Sequence, residues 1–415
     1  MDLSVEQGCP QCGAPVSVAE SDNFFACPFC KVNNYIVNPA GARYALSCGN
    51  SLEQQSGDLY FIPYIRFRGS VFLVSGREVS HRIVDTTQLG FTDLLFPPSL
   101  GLRPQAMKLT RVSYHASERF LPLTIKTQSI LARAANLSAM DSRGNSQMLH
   151  RAYIGESLSF IYLPVRQKGK NLFDAVTDSA LSPAPTDTFL QEKSKPFQRK
   201  WQSDFIAALC PQCGWELQGQ GDCLAVPCPN CDTAWELSGK GLRQLAWQQG
   251  ESRDAMAMWL PFWKISTGIP ELAVSTFADY VRVTRQPITG GWPKKEELMS
   301  FFIPAFKVRP KVFLQTATRM TLSQNHLHLA PGGGRISRRY PANLALSEAR
   351  QALKVILAAS ALNKKEVYPL LPRIRFTNVC TTLVFLPFHD DGHDFIQEQS
   401  GVSIGKNVLS WGGKL

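Results

Sequence analysis

No stretch of this 415-residue chain approaches the roughly 20 consecutive apolar residues that a membrane-spanning helix needs. The most apolar runs, such as Leu353 to Leu362 and Thr382 to Phe388, stop far short of that, so no transmembrane segment is expected. The opening Met1-Asp2-Leu3-Ser4-Val5-Glu6 has no basic segment followed by an apolar run, so no export signal is expected and a cytoplasmic location is. Gly-x-Ser-x-Gly, His-Glu-x-x-His and a Walker lysine are also absent, and no carboxylate pair stands out as a general acid and base. Charge is sparse at 19% and apolar residues make up 44%, a balance that excludes extensive disorder and leaves enough material for a sizeable core. Because single cores rarely grow beyond about 250–300 residues, two domains are expected.

The charge that is present leans basic: 44 Lys and Arg against 33 Asp and Glu, a net +11. That keeps nucleic acid, a peripheral membrane surface or an acidic protein open as partners. The basic residues are scattered, however, and the densest runs, Lys193 to Lys200 and Arg335 to Arg339, fall where linker and loop are expected. A solvated surface with a basic linker accounts for them.

Cysteine is the one chemically specialised residue in good supply. Eight of the eleven form four Cys-x-x-Cys pairs: Cys9/Cys12, Cys27/Cys30, Cys210/Cys213 and Cys228/Cys231, with fourteen residues between pairs in both halves. Both leading knuckles read Cys-Pro-Gln-Cys-Gly, where proline fixes the approach and glycine permits a left-handed turn after the second thiolate. Each knuckle supplies one edge of a tetrahedron, so two knuckles close a four-thiolate site. Over residues 8–37 and 209–237 the sequence resembles zinc-ribbon modules. That resemblance implies a small metal-bound β-hairpin with a structural zinc ion in each half and no metal chemistry. Iron in a rubredoxin-like site stays open, although the loop between knuckles is short for it; disulfides and a thioredoxin-like redox role are disfavoured. Cys48, Cys223 and Cys380 have no partner at ligand spacing and are expected to be buried free thiols.

The similarity of the halves continues past the cysteines. Leu59-Tyr-Phe-Ile-Pro-Tyr-Ile-Arg-Phe-Arg-Gly69 answers to Met258-Trp-Leu-Pro-Phe-Trp-Lys-Ile-Ser-Thr-Gly268, 54 positions from Cys9 to Pro63 and 51 from Cys210 to Pro261. Leu95-Phe96-Pro97, Arg103-Pro104 and Thr110-Arg111 then answer to Phe302-Ile303-Pro304, Arg309-Pro310 and Thr318-Arg319, and Ser159 to Arg166 answers to Thr382 to His389. Each landmark reads as a β-strand, those with an internal proline lying at a sheet edge or bulge. The pattern predicts a mainly β protein with minor helix (α+β), a tandem duplication in which each half is a zinc ribbon followed by a small barrel or sandwich with one helix. The clearest helix spans Ser347-Glu348 to Leu362, capped by Ser347, with Ala349, Leu353, Ile356 and Leu357 on one face; a weaker one lies near Thr127 to Asn136. The expected boundaries are ribbons at 1–40 and 203–240, β-rich domains at 41–178 and 241–415, and a linker at 179–202.

Among other constellations, His389-Asp-Asp-Gly-His393-Asp394 has the residue types of a metal site, but it aligns with Arg166 to Asn171 as a hairpin turn, with Asp391-Gly392 opposite Lys168-Gly169. The acidic and basic tips could meet within the chain or between subunits. Pro331-Gly-Gly-Gly-Arg335 fits no phosphate-binding fingerprint and reads as a loop. Tyr60, Phe61, Tyr64, Trp259, Phe262 and Trp263, beside Arg66, Arg68 and Lys264, suit either base stacking or a half-buried core strand, and core fits better. The functional expectation is a non-enzymatic zinc-binding scaffold acting on a protein partner, with Arg66, Arg68, Lys264, Arg335, Arg338 and Arg339 as candidate contacts. The alternatives are a nucleic-acid-binding protein and an enzyme with a site near His389 and His393.

Overall fold

The structure, a computed structural model, describes residues 3–38, 40–48, 59–92, 95–112, 118–126, 129, 131–132, 148–239, 241–287, 297–333, 336 and 338–412. The expected weak helix near residues 127–136 lies largely outside the described residues, as do Gly334 and Arg335.

The chain begins with two hairpins, β1 (Ser4–Gly8) with β2 (Pro15–Ala19) and β3 (Phe24–Ala26) with β4 (Asn33–Val37), one around each cysteine knuckle. The first large sheet follows: β5 (Ala42–Leu46), β6 (Leu59–Ser75), β7 (Val79–Leu89), β8 (Leu109–Arg111), β9 (Arg119–Phe120), β10 (Met148–Lys168) and β11 (Asn171–Asp174). Its centre is the antiparallel pair β6–β10; β5 runs parallel to β10, and β8 links β5 to β1, so the first ribbon hairpin is part of this sheet.

The segment expected as a linker packs along the first half. Helix α2 (Phe189–Lys193), preceded in the chain by the four-residue α1 (Arg103–Ala106), buries Phe189 and Leu190 in the first core. Strand β12 (Lys195–Pro196) then pairs with β9, and Phe197 packs against Phe120. Two or three aromatic side chains suffice to hold a segment that has no apolar period.

The second ribbon starts from β13 (Asp204–Ala207), which pairs with β4 of the first, and continues through β14 (Ala225–Pro227), β15 (Ala234–Ser238) and β16 (Gly241–Leu245). The second large sheet comprises β17 (Trp247–Gly250), β18 (Met258–Gly268), β19 (Ser300–Pro304), β20 (Leu329–Pro331) and β21 (Thr377–Asp390), with β22 (Asp394–Gln397) and β23 (Val402–Gly405) added beyond β21. Helices α3 (Phe277–Thr284), α4 (Pro310–Leu322) and α5 (Leu346–Ser360) accompany it. Ala349, Leu353, Ile356 and Leu357 of α5 are buried as expected, but Ala345 and not Ser347 occupies the cap position.

The two central pairs share one register. Pro63 faces Tyr162 and Pro164 faces Phe61; Pro261 faces Phe385 and Pro387 faces Trp259. These prolines lie in interior strands without a register break, which corrects the expectation of an edge or bulge. Along the outer side of β6, β7 leaves and β9 takes over at Pro63, whose carbonyl accepts the Gly90 amide at 2.8 Å. Along β18, β19 ends and Arg339 takes over at Pro261, whose carbonyl accepts the Ala305 amide at 2.9 Å. A residue without an N–H is tolerated inside a sheet where one neighbour hands over to the next.

Not every landmark is a strand. Leu95-Phe96-Pro97 follows β7 as irregular chain, and both Arg-Pro pairs open helices, α1 and α4, where proline at the first turn removes no bond. Thr110-Arg111 lies in β8 but Thr318-Arg319 lies within α4.

The cores interlock. Phe72, Val74, Ala152 and Ile154 from the outer end of β6–β10 belong to the cluster that also holds Phe313, Ala349, Leu353 and Phe262 of the second half. Gln351 and Glu348 of α5 accept the Tyr153 and Gly155 amides of β10 at 3.3 and 2.8 Å.

Candidate metal centres

All four cysteine knuckles have the same backbone. The amide of the first cysteine donates to the carbonyl five residues on: Cys9 to Ala14 at 2.9 Å, Cys27 to Val32 at 3.1 Å, Cys210 to Trp215 at 2.7 Å and Cys228 to Thr233 at 2.6 Å. The residue after the second cysteine is left-handed in each: Gly13 (φ 73°), Lys31 (62°), Gly214 (73°) and Asp232 (55°). Glycine takes this conformation freely; Lys31 and Asp232 take it at a cost of about 1–2 kcal/mol that the closed knuckle must offset.

The sulfurs converge as tetrahedra. Cys9 and Cys30 Sγ are 3.8 Å apart, Cys12 and Cys27 3.7 Å, and Cys210–Cys231 and Cys213–Cys228 both 3.6 Å. A metal bound at about 2.3 Å to four sulfurs requires S···S edges of about 3.8 Å, whereas a disulfide would need about 2.05 Å. None of the described cysteines is in a disulfide bond. Among the described residues, these quartets are the groups of three or more His, Cys, Asp or Glu ligand atoms lying within 4.8 Å of one another, so two sites can hold a metal ion.

The surroundings draw Cys27, Cys210 and Cys213 towards thiolate. Burial, joined by the Cys213 and Cys231 sulfurs, pushes the Cys228 thiol up to about 12, and at Cys30 the Val32 amide is outweighed by burial and the neighbouring sulfurs, which leave it at about 11. The Cys27 thiol is drawn down to about 6, first by the backbone N–H of Cys30 and then, against burial, by that of Phe29. Burial pushes the Cys210 thiol up, but the Thr233 hydroxyl and the Cys213 amide outweigh it and leave it at about 6. Thr233 lies 3.1 Å from Cys231 Sγ and accepts the Trp235 indole N–H at 2.9 Å; the first ribbon has Val32 at this place and no such hydroxyl. Arg339 approaches the second centre from outside the ribbon, donating to Pro227 O at 3.0 Å beside Cys228.

The two ribbons pack on each other. Phe24 and Tyr35 of the first join Leu217, Cys223, Val226 and Trp235 of the second in one cluster, and the Asn23 and Phe24 amides both donate to Gly221 O. Cys223 is the buried free thiol expected, pushed up to about 11 by its burial, while Cys48 is half-buried and Cys380 exposed.

The candidate contact residues scatter. Arg66 is interior: it pairs with Glu20 and, through two hydrogen bonds of 3.0 and 2.8 Å, with Asp85. Arg68 is also buried, and Lys264 is half-buried with its pKa lowered by desolvation. Arg338 donates to Met256 O at 2.8 Å, Arg339 is turned towards the ribbon, and Arg335 is outside the described residues. Tyr60, Phe61, Tyr64, Phe262 and Trp263 are core, as expected, and Trp259 is half-buried.

The histidine-aspartate string forms a hairpin turn between β21 and β22, closed by the Asp391 amide on Asp394 O at 3.1 Å. The Asp394 and His393 amides hold the Asp391 carboxyl below its usual range, Lys406 pairs with Asp390, and His393 is exposed. The aligned turn is Gly169-Lys170, enclosed by the pair Lys168–Asn171, one residue on from the expected Lys168-Gly169 because Lys168 still belongs to the ladder. In the glycine-rich loop, Gly332 lies flat against Trp247, where a Cβ would sit 2.1 Å from the indole, and Gly333 faces the Asp232 carboxylate, the wrong charge for a phosphate cradle. No helix among the described residues is long and apolar enough to cross a membrane. Compared with protein-family models, curated proteins and solved structures, the chain matches none of them.

Proposed function

We propose that this protein is a non-enzymatic scaffold, stabilised by two structural zinc ions, that acts by binding another protein. The observation that carries the reading is the pairing of the ribbons. Asn33 Nδ2 donates to Glu216 Oε1 at 2.8 Å, so the trailing knuckle of the first ribbon stands beside the leading knuckle of the second. Those two knuckles carry Phe29, Leu209 and Trp215, which are 63%, 49% and 54% exposed. Large apolar side chains held out to water on a rigid, metal-braced frame gain nothing in the isolated chain and are typical anchors of protein interfaces. Four thiolates per centre leave no position for a substrate or water, which supports a structural role, and the fourteen-residue interval between knuckles favours zinc over a rubredoxin-like iron.

The same reading takes residues 1–40 and 203–240 as the ribbons and 41–178 and 241–415 as copies of one β-rich unit, joined by 179–202. The common register of the proline-bearing strands supports descent from a duplication. Reduced, thiolate-based centres fit the cytoplasm. The nucleic-acid alternative is weakened because Arg66 and the neighbouring aromatic residues are interior.

The test is a Phe29→Ser/Trp215→Ser double variant. It is expected to keep two zinc equivalents and its melting temperature while losing a protein that co-purifies stoichiometrically with the wild type. A wild type that retains no protein, but binds mixed-sequence single strands or duplex with steep loss as salt rises, would instead favour the nucleic-acid reading.

A further inference from the structure

A polar cleft of about 250 Å³ opens where the two ribbons and the two sheets meet. Glu20 and Asn23 from the first ribbon line it, together with Ser157 and Ser159 of β10, and Lys307 and Glu348 from the second half. Domain junctions are a common place for small-molecule sites, and this volume lies just below the roughly 300–1,000 Å³ of drug-sized pockets.

The wall is built in two senses. Strand β10 loses register with β6 between Ile154 and Ser157, and Gly155 is left-handed at φ 67°. This bulge falls where the strand enters the cleft, and bulges beside sites re-aim the side chains that follow them. The charged groups are also fixed in place: Glu20 pairs with Arg66 and accepts the Ser159 hydroxyl, and Glu348 accepts the Gly155 amide at 2.8 Å. Lys307 pairs with Asp222 at 3.0 Å, and Asn343 bridges the Lys307 amide and Asp222 at 2.8 and 2.7 Å. Glu20 and Lys307 each face an opposite charge and the Glu348 carboxylate accepts a backbone amide, so every charged group of the wall already has a partner and none calls for a charged ligand. The hydroxyls of Ser21 and Ser157 line the cleft without a hydrogen-bond partner among the described residues, and the Asn23 amide has only a long 3.4 Å bond to Asp222 O.

We infer that this cleft binds a small neutral polyhydroxy compound of monosaccharide size. Hydroxyls that both donate and accept match serine and asparagine groups of this kind. The ligand would replace the several waters that a polar space of this size holds at about 30 Å³ each. The inference is independent of the scaffold reading, and either can fail alone.

The experiment uses the full chain with both metal centres loaded. D-glucose and myo-inositol are the neutral probes, phosphate and putrescine the charged ones, with calorimetric titration and thermal melting as readouts. One neutral probe is expected to bind saturably; at tenfold excess over Kd the folded-to-unfolded ratio should rise about elevenfold. Ser21→Ala/Ser157→Ala should raise that Kd at least about tenfold, the loss of one to two good hydrogen bonds, with zinc content unchanged. Ser157→Trp, which fills the cleft, should abolish binding; if it misfolds, the alanine pair carries the test. Three results would overturn the inference: no saturable response to either neutral probe into the tens of millimolar, equal affinity of wild type and alanine pair, or binding of phosphate or putrescine alone.

Discussion

The two large sheets are built on the same antiparallel pair with the same proline register, yet they are not used in the same way. The pair in the second sheet, Met258–Gly268 with Thr377–Asp390, packs its buried middle on its own core. The pair in the first, Leu59–Ser75 with Met148–Lys168, is longer, and its extra length carries Phe72, Val74, Ala152 and Ile154 into the other half. There the Phe72 ring lies 5.8 Å from Phe313, and α5 caps the bulged strand. The ribbons differ in the same sense. The first contributes β1 and β2 to a large sheet, while the second keeps a three-stranded sheet of its own. One local rule, used twice, yields two halves that cannot separate without exposing apolar surface.

The largest effect should come from breaking the metal centres. Structural zinc contributes about 10–16 kcal/mol of apparent binding free energy in isolated ribbon-like peptides, so Cys9→Ser and Cys210→Ser should each release their own ion. Because β1 and β2 are strands of the first sheet, Cys9→Ser should lower the melting temperature more than Cys210→Ser does. Since Phe24 and Tyr35 pack with Leu217 and Trp235, each substitution should also speed chelator removal of the remaining ion. Chelator-coupled zinc assays and melting curves check both points; equal, independent losses would mean the ribbons only touch. Next in size is Phe72→Ala. Truncating a fully buried phenylalanine costs about 3–5 kcal/mol. The tryptophans at 247, 259 and 263 belong to the other half, so a shared core requires their fluorescence transition in urea to move with this first-half substitution. An unmoved tryptophan transition would mean that the halves unfold separately.

Much of this was legible along the chain. Knuckle spacing gave the ligand sets, since a tetrahedral site admits few arrangements of four cysteines, and aromatic alternation located the central strands. The turns at Lys168–Asn171 and Asp390–Asp394 followed from aligning Pro164 with Pro387. What the pattern could not reveal was which charges face inward. An arginine alternating with aromatics looks the same whether it meets water or, like Arg66, meets Glu20 and Asp85, which are distant in sequence. The strand prolines were misplaced for a related reason: a missing N–H marks a site with no ladder bond, and a handover between neighbours satisfies that as well as an edge does. The junction cleft draws on six separate segments, none distinctive in residue type, and only folding brings Ser21, Ser157 and Lys307 to one wall.

The smallest expected effect sharpens the comparison by probing the inserted hairpin alone. His150 on β10 faces α5, where burial first and Lys354 second lower its pKa below 6.5. His81 on β7, whose ring lies 5.8 Å from Phe72, is lowered by burial and by Lys311. Folding therefore disfavours the charged form of both. Above about pH 6.5 the unfolded chain is neutral at these positions too, and their contribution to stability is complete. As pH falls below that value the unfolded chain takes up protons that the folded one resists, so stability declines until the folded pKa values are reached. A His81→Gln/His150→Gln variant should flatten the decline in urea midpoint between pH 6.5 and 5 relative to wild type. Should both proteins lose stability with the same slope, the acid sensitivity lies elsewhere and the inserted hairpin is not where the two halves first come apart.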